Sequence, residues 1–245
     1  MHVLNPGFCH QLVQISVHRH LLICAALTRH FYPWPLTLFA GRWAPNASHS
    51  ASCEDGAVAH PGHPHADGSV RVALPDDGPT IARIQADALR LNYAALLPNE
   101  AIEDFDIAAA TNGWTEAITS PPSRRHRVFV AVGLDGVVGF AATAPTSDTD
   151  LNPEMDAEVL ALHVAPDQMR LGHGSRLMAA IVDHAHDDGV VRLVMWVFAA
   201  DDPVRMFLRD NGWEPDGSTR DLDVGELLHQ VRLHTGIKDP PDLIA

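Results

Sequence analysis

The stretch VAPDQMRLGHGSRLM, residues 164–178, decides how the rest of the chain is interpreted. An apolar run ends at Pro166, glycines follow at positions 172 and 174, and apolar residues then recur at helical spacing. Glycine allows a tight turn and leaves neighbouring backbone N–H groups uncovered by side chains. Because N–H groups at a helix start and the positive end of the helix dipole attract anions, the stretch predicts a strand–loop–helix that binds phosphate or pyrophosphate.

Composition limits the class of protein. The chain has 245 residues, of which 46% are hydrophobic, enough for one large domain or two small ones. Its net charge of −14 argues against a nucleic-acid partner held by basic patches. No run reaches the roughly 18 apolar residues of a membrane span, so no membrane partner is expected. Many Ala, Asp and Arg residues beside a single lysine, Lys238, are typical of a high-GC bacterial coding sequence.

Residues 1–69 differ from the rest of the chain. No apolar period of helix or strand type continues through them for a useful length, which favours a poorly ordered extension. An overlong gene prediction is a related possibility, since Val70 and Val72 are each compatible with an alternative start codon. A signal sequence is a second alternative, although its apolar run, Leu21–Leu27, is short and lacks a clear cleavage site.

A metal site in this N-terminal segment is a third alternative, and it would make the chain a metal-binding protein. Four side chains are of types that bind zinc or nickel, but nothing in the sequence fixes their geometry. They are Cys53, His60, His63 and His65. The preferred interpretation of the chain includes no metal.

The pattern becomes regular from residue 70 and predicts the element order β-α-α-β-β-β-α-β-α-β-β. Asp76 and Asp77 precede the first helix as N-cap residues. The second helix is expected from Asn99 to Ala110, and Trp114 to Thr119 would add a turn or two. The glycine loop falls between the fourth strand and the third helix.

Two motifs carry a resemblance to a known family. The first has the pattern Val-x-Pro-x-x-(Arg/Gln)-x-x-Gly-x-(Gly/Ala)-x-x-Leu-Leu, and the second Asn-x-x-Ala-x-x-Phe-Tyr-x-x-x-Gly-Phe. The residues that fit are Val164, Pro166, Gly172, Gly174, Leu177 and Met178 for the first, and Phe207, Gly212 and Trp213 for the second. Residues from about 70 to 235 therefore resemble the GNAT superfamily of acyl-CoA N-acyltransferases. Two of the departures from the family pattern bear on the chemistry: Met169 replaces the Arg/Gln, and Leu208 replaces the Tyr.

The resemblance implies an α/β (α+β) domain over residues 70–237, followed by a tail, 238–245. Its mixed, mostly antiparallel central sheet would be flanked by helices, with the fourth and fifth strands splayed apart. Acetyl-CoA, the acyl donor, would lie in that notch, its pyrophosphate held by backbone N–H groups of the loop and by a cation from Arg170. The expected cofactor-binding residues are Leu162, His163, Val164, Met169, Arg170, Leu171, Gly172, His173, Gly174, Ser175 and Phe207.

Attack of an amine on a thioester requires a base, because most amines are protonated at neutral pH. Glu158 stands in the fourth strand where related acetyltransferases have a general-base glutamate. Period-two alternation places Glu158, Leu160 and Leu162 on one strand face and His163 on the other. Glu158 is thus the candidate base, or else a strand-end residue that reaches solvent, and His163 is an alternative base.

Leu208 cannot donate a proton to the departing thiolate. Since a thiol with a pKa of about 8.5 is a fair leaving group, an active N-acetyltransferase remains the favoured interpretation. It would move an acetyl group to a primary amine of a small molecule or peptide by direct attack. The alternative is an acyl-CoA-binding regulatory or catalytically weak domain. The CoA supply suggests a cytoplasmic protein, and family members are often homodimers.

The acceptor is expected between the first two helices and the last strands. Acidic side chains there would attract a cationic amine, or simply form a solvated helix face. The candidate residues are Tyr93, Glu100, Glu103, Asp104, Asp106 and Trp114. Trp196 and Trp213 are interpreted as core residues instead.

Overall fold

The computed structural model describes residues 68–237. The expectations for the N-terminal segment up to residue 67, including its signal and metal-site alternatives, lie outside the described residues, as does the tail 238–245. Within residues 68–237, no helix has the length and apolar character needed to cross a bilayer.

Seven strands and five helices form the described part of the chain. The strands are β1 Ser69–Val72, β2 Arg127–Gly133, β3 Gly136–Pro145, β4 Asp156–Val164, β5 Arg192–Phe198, β6 Glu214–Asp223 and β7 Leu227–Gly236. The helices are α1 Gly78–Asn92, α2 Asn99–Glu103, α3 Ile107–Thr119, α4 His173–Asp187 and α5 Asp202–Asp210. Short 3-10 turns, Pro75–Asp77 and Pro166–Gln168, precede α1 and α4.

The strands form one sheet in the order β1-β2-β3-β4-β5-β7-β6. Every neighbouring pair is antiparallel except β4–β5, which is parallel. That pair is short: it runs from Asp156 opposite Arg192 to Glu158 opposite Val194, although both strands continue beyond. The expected mixed, mostly antiparallel sheet with a gap between its fourth and fifth strands is confirmed.

Helices cover both faces of the sheet and bury two apolar clusters. One cluster lies on the side of α4 and α5, and its fully buried members include Phe129, Leu177, Ile181, Leu193, Leu208 and Trp213. The other lies on the side of α1 and α3 and includes Ile81, Trp114, Val130 and Phe140. Burial of side chains of this size stabilises the fold by about 1.5–3 kcal/mol each, which fixes both helix layers against the sheet.

The single second helix expected from Asn99 to Ala110 is wrong. The chain forms two helices instead, since Asp106 has an extended backbone and caps the start of α3. Its carboxylate accepts hydrogen bonds from the N–H groups of Ala108, at 2.8 Å, and Ala109, at 3.0 Å. A carboxylate at an N-cap satisfies donors that the helix cannot pair internally, so a new helix begins here.

Substitution Asp106→Ala is expected to lower the free energy of unfolding by about 1 kcal/mol, because two N–H groups at the start of α3 lose their acceptor. Asp104→Ala is the matched control, since Asp104 lies two residues away and no described N–H group bonds to its side chain. Urea denaturation measures both. Equal losses in the two variants would contradict the capping role.

Candidate active site

A cavity of about 110 Å³ lies where β4 and β5 separate. Its walls are β4 from Glu158 to His163 and β5 from Met195 to Phe198. Further side chains come from the end of α1, the start of α5 and the β6–β7 pair. The cavity therefore collects residues that are far apart in sequence at the one place where the sheet opens.

Glu158 is buried in this cavity, with 6% of its surface exposed. Burial raises the pKa of its carboxyl group to about 7, and the charge of Asp148 adds to that effect. The positive charges of Arg220 and Arg232 oppose the shift without cancelling it. A carboxyl group with a pKa near 7 is divided between its two protonation states at neutral pH, as general acid–base chemistry requires.

A bulge in β4 changes which residues share a face with Glu158. Ala161 lies opposite Ala142 and Val159 opposite Thr143, so Leu160 is an extra residue without a partner on β3. The expected alternation is therefore wrong beyond this point, because one extra residue reverses the side on which later side chains lie.

The packing on the two sides of the sheet confirms the reversal. Leu162 packs into the apolar cluster beside α4 and α5, whereas Leu160 packs on the other side. His163 lies with Phe140, on the same side as Glu158 and in the same cavity. The sequence-based placement of Leu162 beside Glu158, with His163 opposite, is corrected accordingly.

His163 packs against two aromatic rings. Its ring centroid lies 5.3 Å from that of Phe140 and 6.1 Å from that of Tyr93. Burial lowers the pKa of His163 to about 4, so the imidazole is neutral and weakly basic near pH 7. Glu158 is therefore better suited than His163 to accept a proton at neutral pH.

Tyr93 brings a hydroxyl group to the cavity from the end of α1. Its ring packs edge-on against Phe198, at 5.9 Å, and its hydroxyl donates to the carboxylate of Asp201. Asp201 also accepts from the N–H of Val204, at 3.2 Å, and so caps α5. Burial raises the pKa of Asp201, while the hydrogen bond from Tyr93 opposes this shift. The pair joins two helices across the cavity.

The glycine loop before α4 has the form of an anion site. Arg170 and Gly172 have left-handed backbones, with φ of 62° and 84°, and α4 begins at His173. Within residues 68–237, no oxygen accepts a hydrogen bond from the backbone N–H groups of residues 169–175. Glycine suits the left-handed position at 172, whereas Arg170 holds it at a cost of about 1–2 kcal/mol. Seven uncommitted N–H groups at a helix start provide donors for an anion.

Side chains of the loop differ in their exposure. Met169, Arg170, Leu171 and Ser175 are exposed, whereas His173 is buried. Phe207 of α5 lies beside Gly174: its ring comes within 3.5 Å of the place that a Cβ on Gly174 would occupy. The ring supports the loop from the α5 side.

Residues 93–213 match the model of the acetyltransferase (GNAT) family. This chain carries a domain of the GNAT acetyltransferase family. The matched range contains Glu158, the glycine loop and Phe207. The GNAT resemblance expected from the two motifs is confirmed.

Solved GNAT structures have the same fold. An N-acetyltransferase from Staphylococcus aureus Mu50 is 19% identical, with a TM-score of 0.57 over 71% of this chain and 100% of that one. Ribosomal-protein-alanine N-acetyltransferase from Brucella melitensis is 22% identical, with a TM-score of 0.54 over 68% and 98%. The yncA protein of Salmonella typhimurium, solved with its cofactor acetyl-CoA, is 18% identical, with a TM-score of 0.55 over 71% and 95%. No curated protein sequence matches the chain.

Leu208 takes a structural place in this GNAT domain. It is fully buried in the apolar cluster beside α4 and does not line the cavity. The residues by which α5 and its N-cap reach the cavity are Asp201 and Val204. Tyr93 brings a hydroxyl group to the cavity instead. The sequence did not predict this, because Tyr93 follows α1 and is far along the chain from both motifs.

The structure brings only one of the residues expected for the acceptor region to the cavity. Tyr93 lines the cavity, but Trp114 is buried in the core and donates a hydrogen bond to Gln85, at 2.8 Å. The four acidic candidates Glu100, Glu103, Asp104 and Asp106 are exposed, and none lines the cavity. Of the two tryptophans interpreted as core residues, Trp213 is confirmed and Trp196 is wrong, since it lines the cavity. Residues 68–237 contain no cluster of three or more potential metal ligands.

Substitution Glu158→Gln is expected to stabilise the protein at alkaline pH. Because the folded-state pKa of Glu158 is about 7 and the ordinary value is 4.5, the folded protein binds this proton more tightly. Stability is thus lost as the pH rises from about 4.5 through 7. The free energy of unfolding of the variant should exceed that of the unsubstituted protein by on the order of 2 kcal/mol at pH 8 and by little at pH 4.5.

Chemical denaturation at the two pH values measures this difference. Glu154→Gln is the matched control, since Glu154 is exposed and lies four residues earlier. A change of equal size at both pH values would mean that the Glu158 carboxyl group is not destabilised by burial.

Proposed function

We propose that this protein is an acetyl-CoA-dependent N-acetyltransferase that acts on a primary amine of a small molecule or peptide by direct attack. The observation that supports the proposal is the buried Glu158 carboxyl group in the cavity between β4 and β5, because a carboxyl group with a pKa of about 7 is suited to accept a proton near neutral pH. The GNAT domain supports the reaction class. The acetyl-CoA bound by the Salmonella yncA protein supports the donor.

Two parts of the chain suit the donor. The uncommitted N–H groups of residues 169–175 fit a pyrophosphate, and the exposed Arg170 adds a positive charge. Beyond Glu158, β4 has no pairing with β5, so backbone groups of Leu162 to Val164 are available for the amides of a pantetheine arm. Acetyl-CoA supplies an activated thioester to this place.

The chain's own groups then account for the proton transfers. A protonated amine gives up a proton to Glu158, and its nitrogen bonds to the thioester carbonyl carbon. Backbone N–H donors on the open edge of β4 stabilise the negative oxygen that forms. The carbon–sulfur bond breaks, the nitrogen gives up its second proton, and the sulfur leaves as a thiolate that takes up a proton. An amide, CoA thiol and one released proton are the products.

A domain that binds acyl-CoA with little turnover is the second candidate, and the burial of Leu208 favours it. With Leu208 in the core, α5 presents no hydroxyl group from that position to the thiolate. A thiol-release assay with acetyl-CoA and a broad panel of amines separates the two candidates. Tight binding of acetyl-CoA without release of CoA thiol on any amine would exclude the enzyme.

Substitution Glu158→Gln is expected to lower kcat/KM at pH 8 by roughly 100-fold or more, as for loss of a general base. In the unsubstituted enzyme, kcat/KM should rise with pH through about 7, because the base must be deprotonated to act. The variant should lose this rise and keep its affinity for acetyl-CoA. Glu154→Gln again serves as the control. A variant with an unchanged pH profile would rule out Glu158 as the base.

Substitution Gly172→Ala is expected to weaken binding of acetyl-CoA roughly tenfold, by displacing an N–H donor to the pyrophosphate. Gly189→Ala is the matched control. Both glycines have left-handed backbones, with φ of 84° and 72°, and open space where a Cβ would lie. Both variants should therefore lose about 1 kcal/mol of stability. Calorimetric titration with acetyl-CoA distinguishes the two variants. Equal affinities of both variants for acetyl-CoA would mean that the pyrophosphate is not bound at Gly172.

A further inference from the structure

Arg220 is held in the cavity by two contacts. It lies in β6 opposite Gln230 of β7, and its Nε donates to the Gln230 Oε1 at 2.7 Å. Its guanidinium carbon lies 4.2 Å from the centroid of the Trp196 ring. Stacking on an indole and a hydrogen bond at Nε together fix the plane of the guanidinium group.

The two terminal nitrogens of Arg220 remain uncommitted. Among residues 68–237, nothing accepts a hydrogen bond from Nη1 or Nη2 of Arg220, and no carboxylate lies within 4.0 Å. Arg232, its neighbour in the sheet, differs completely: it forms ion pairs with Asp148, Asp150 and Asp216. The free nitrogens are thus specific to Arg220 and do not reflect a shortage of carboxylates nearby.

Leaving a half-buried guanidinium group without an ion pair is unfavourable. Burial lowers the pKa of Arg220 to about 10, because it disfavours the charged form of the guanidinium group. A buried charge of this kind is normally paired, and its two parallel N–H donors match the two oxygens of a carboxylate. The cavity therefore lacks an anion at a place where the protein has oriented the donors for one.

This position lies close to the candidate base. Arg220 and Glu158 line the same cavity, and their charges act on each other's pKa. Trp196, under the guanidinium group, belongs to β5, the strand next to that of Glu158. Since neighbouring strands lie about 5 Å apart, an anion on Arg220 and an amine beside Glu158 fit on one small molecule.

We propose that the acceptor is a small amino acid, whose carboxylate is bound by Arg220 and whose amino group gives its proton to Glu158. This inference rests on the proposed acetyl transfer and narrows its acceptor. Arg220 binds and orients the acceptor and takes no proton. The bond changes are those already given: the amine nitrogen bonds to the acetyl carbon, the carbon–sulfur bond breaks, and CoA leaves as the thiolate.

The test compares free α-amino acids with their carboxamides, which keep the amine and lose the charge. Thiol release is measured with acetyl-CoA for both panels, and the unsubstituted enzyme should prefer the acids. Arg220→Gln should raise KM for the best acid roughly 10- to 100-fold and leave KM for the carboxamides nearly unchanged. Arg209→Gln, an exposed change on α5, is the control for loss of an arginine. Arg220→Lys should recover the preference only in part, since an ammonium group lacks the paired donors.

The possible results either support or overturn a carboxylate site at Arg220. Equal use of acids and carboxamides by the unsubstituted enzyme overturns the inference without any variant, and leaves the proposed acetyl transfer intact. An equal loss on both panels in Arg220→Gln overturns it too. If no amine is acetylated, the proposed function fails. Calorimetric binding of the same acids and carboxamides then tests the carboxylate site on its own. Acid-specific binding that Arg220→Gln removes then supports the carboxylate site, and no acid-specific binding rejects it.

Discussion

The separation of β4 from β5 is the constraint on which the rest of the site depends. These strands pair over three positions and then part, although both continue. Backbone groups on the inner edges of both strands therefore lose their usual partners in the middle of a sheet, where such groups are normally satisfied. A bound molecule that offers peptide-like donors and acceptors can take their place. Glu158 stands at the last paired position, so the proposed base lies where the opening begins.

A network of charges keeps the opening in shape on its far side. Arg232 is almost fully buried, and the loop between β3 and β4 reaches it through Asp148 and Asp150. Asp148 also accepts a hydrogen bond from the indole of Trp196, at 3.0 Å. The hydrogen bonds that Arg232 donates to these carboxylates raise its pKa, so this guanidinium group stays charged despite its burial. Through Trp196 the same network supports Arg220, which keeps its two terminal nitrogens available.

Features set by neighbouring residues could be predicted from the sequence, and features set by distant strands could not. The glycine loop was predictable because Gly172 needs its left-handed backbone locally, whatever surrounds it. The start of a new helix at Asp106 was missed because Glu103, Asp104 and Asp106 do not interrupt the apolar spacing that predicts a single helix. The bulge at Leu160 was missed because an apolar strand looks the same with one residue more. Arg220 was missed because only the pairing of β6 with β7, and of β7 with β5, brings it to the cavity. Glu158 lies in the fourth strand, as expected, but the side chains expected beside it on that face were wrong.

The bulge, rather than the order of residues alone, sets which side chains of β4 lie beside Glu158. Leu160 has no partner on β3, so the residues before and after it lie opposite neighbouring residues of that strand. Deletion of Leu160 would therefore give a regular strand and leave Leu162 and His163 on their present sides. Pairing of Leu160 with β3 would instead shift every later residue by one position, turning an aliphatic side chain into the cavity and an imidazole into the core. At this position β4 tolerates the loss of a residue better than the loss of the bulge.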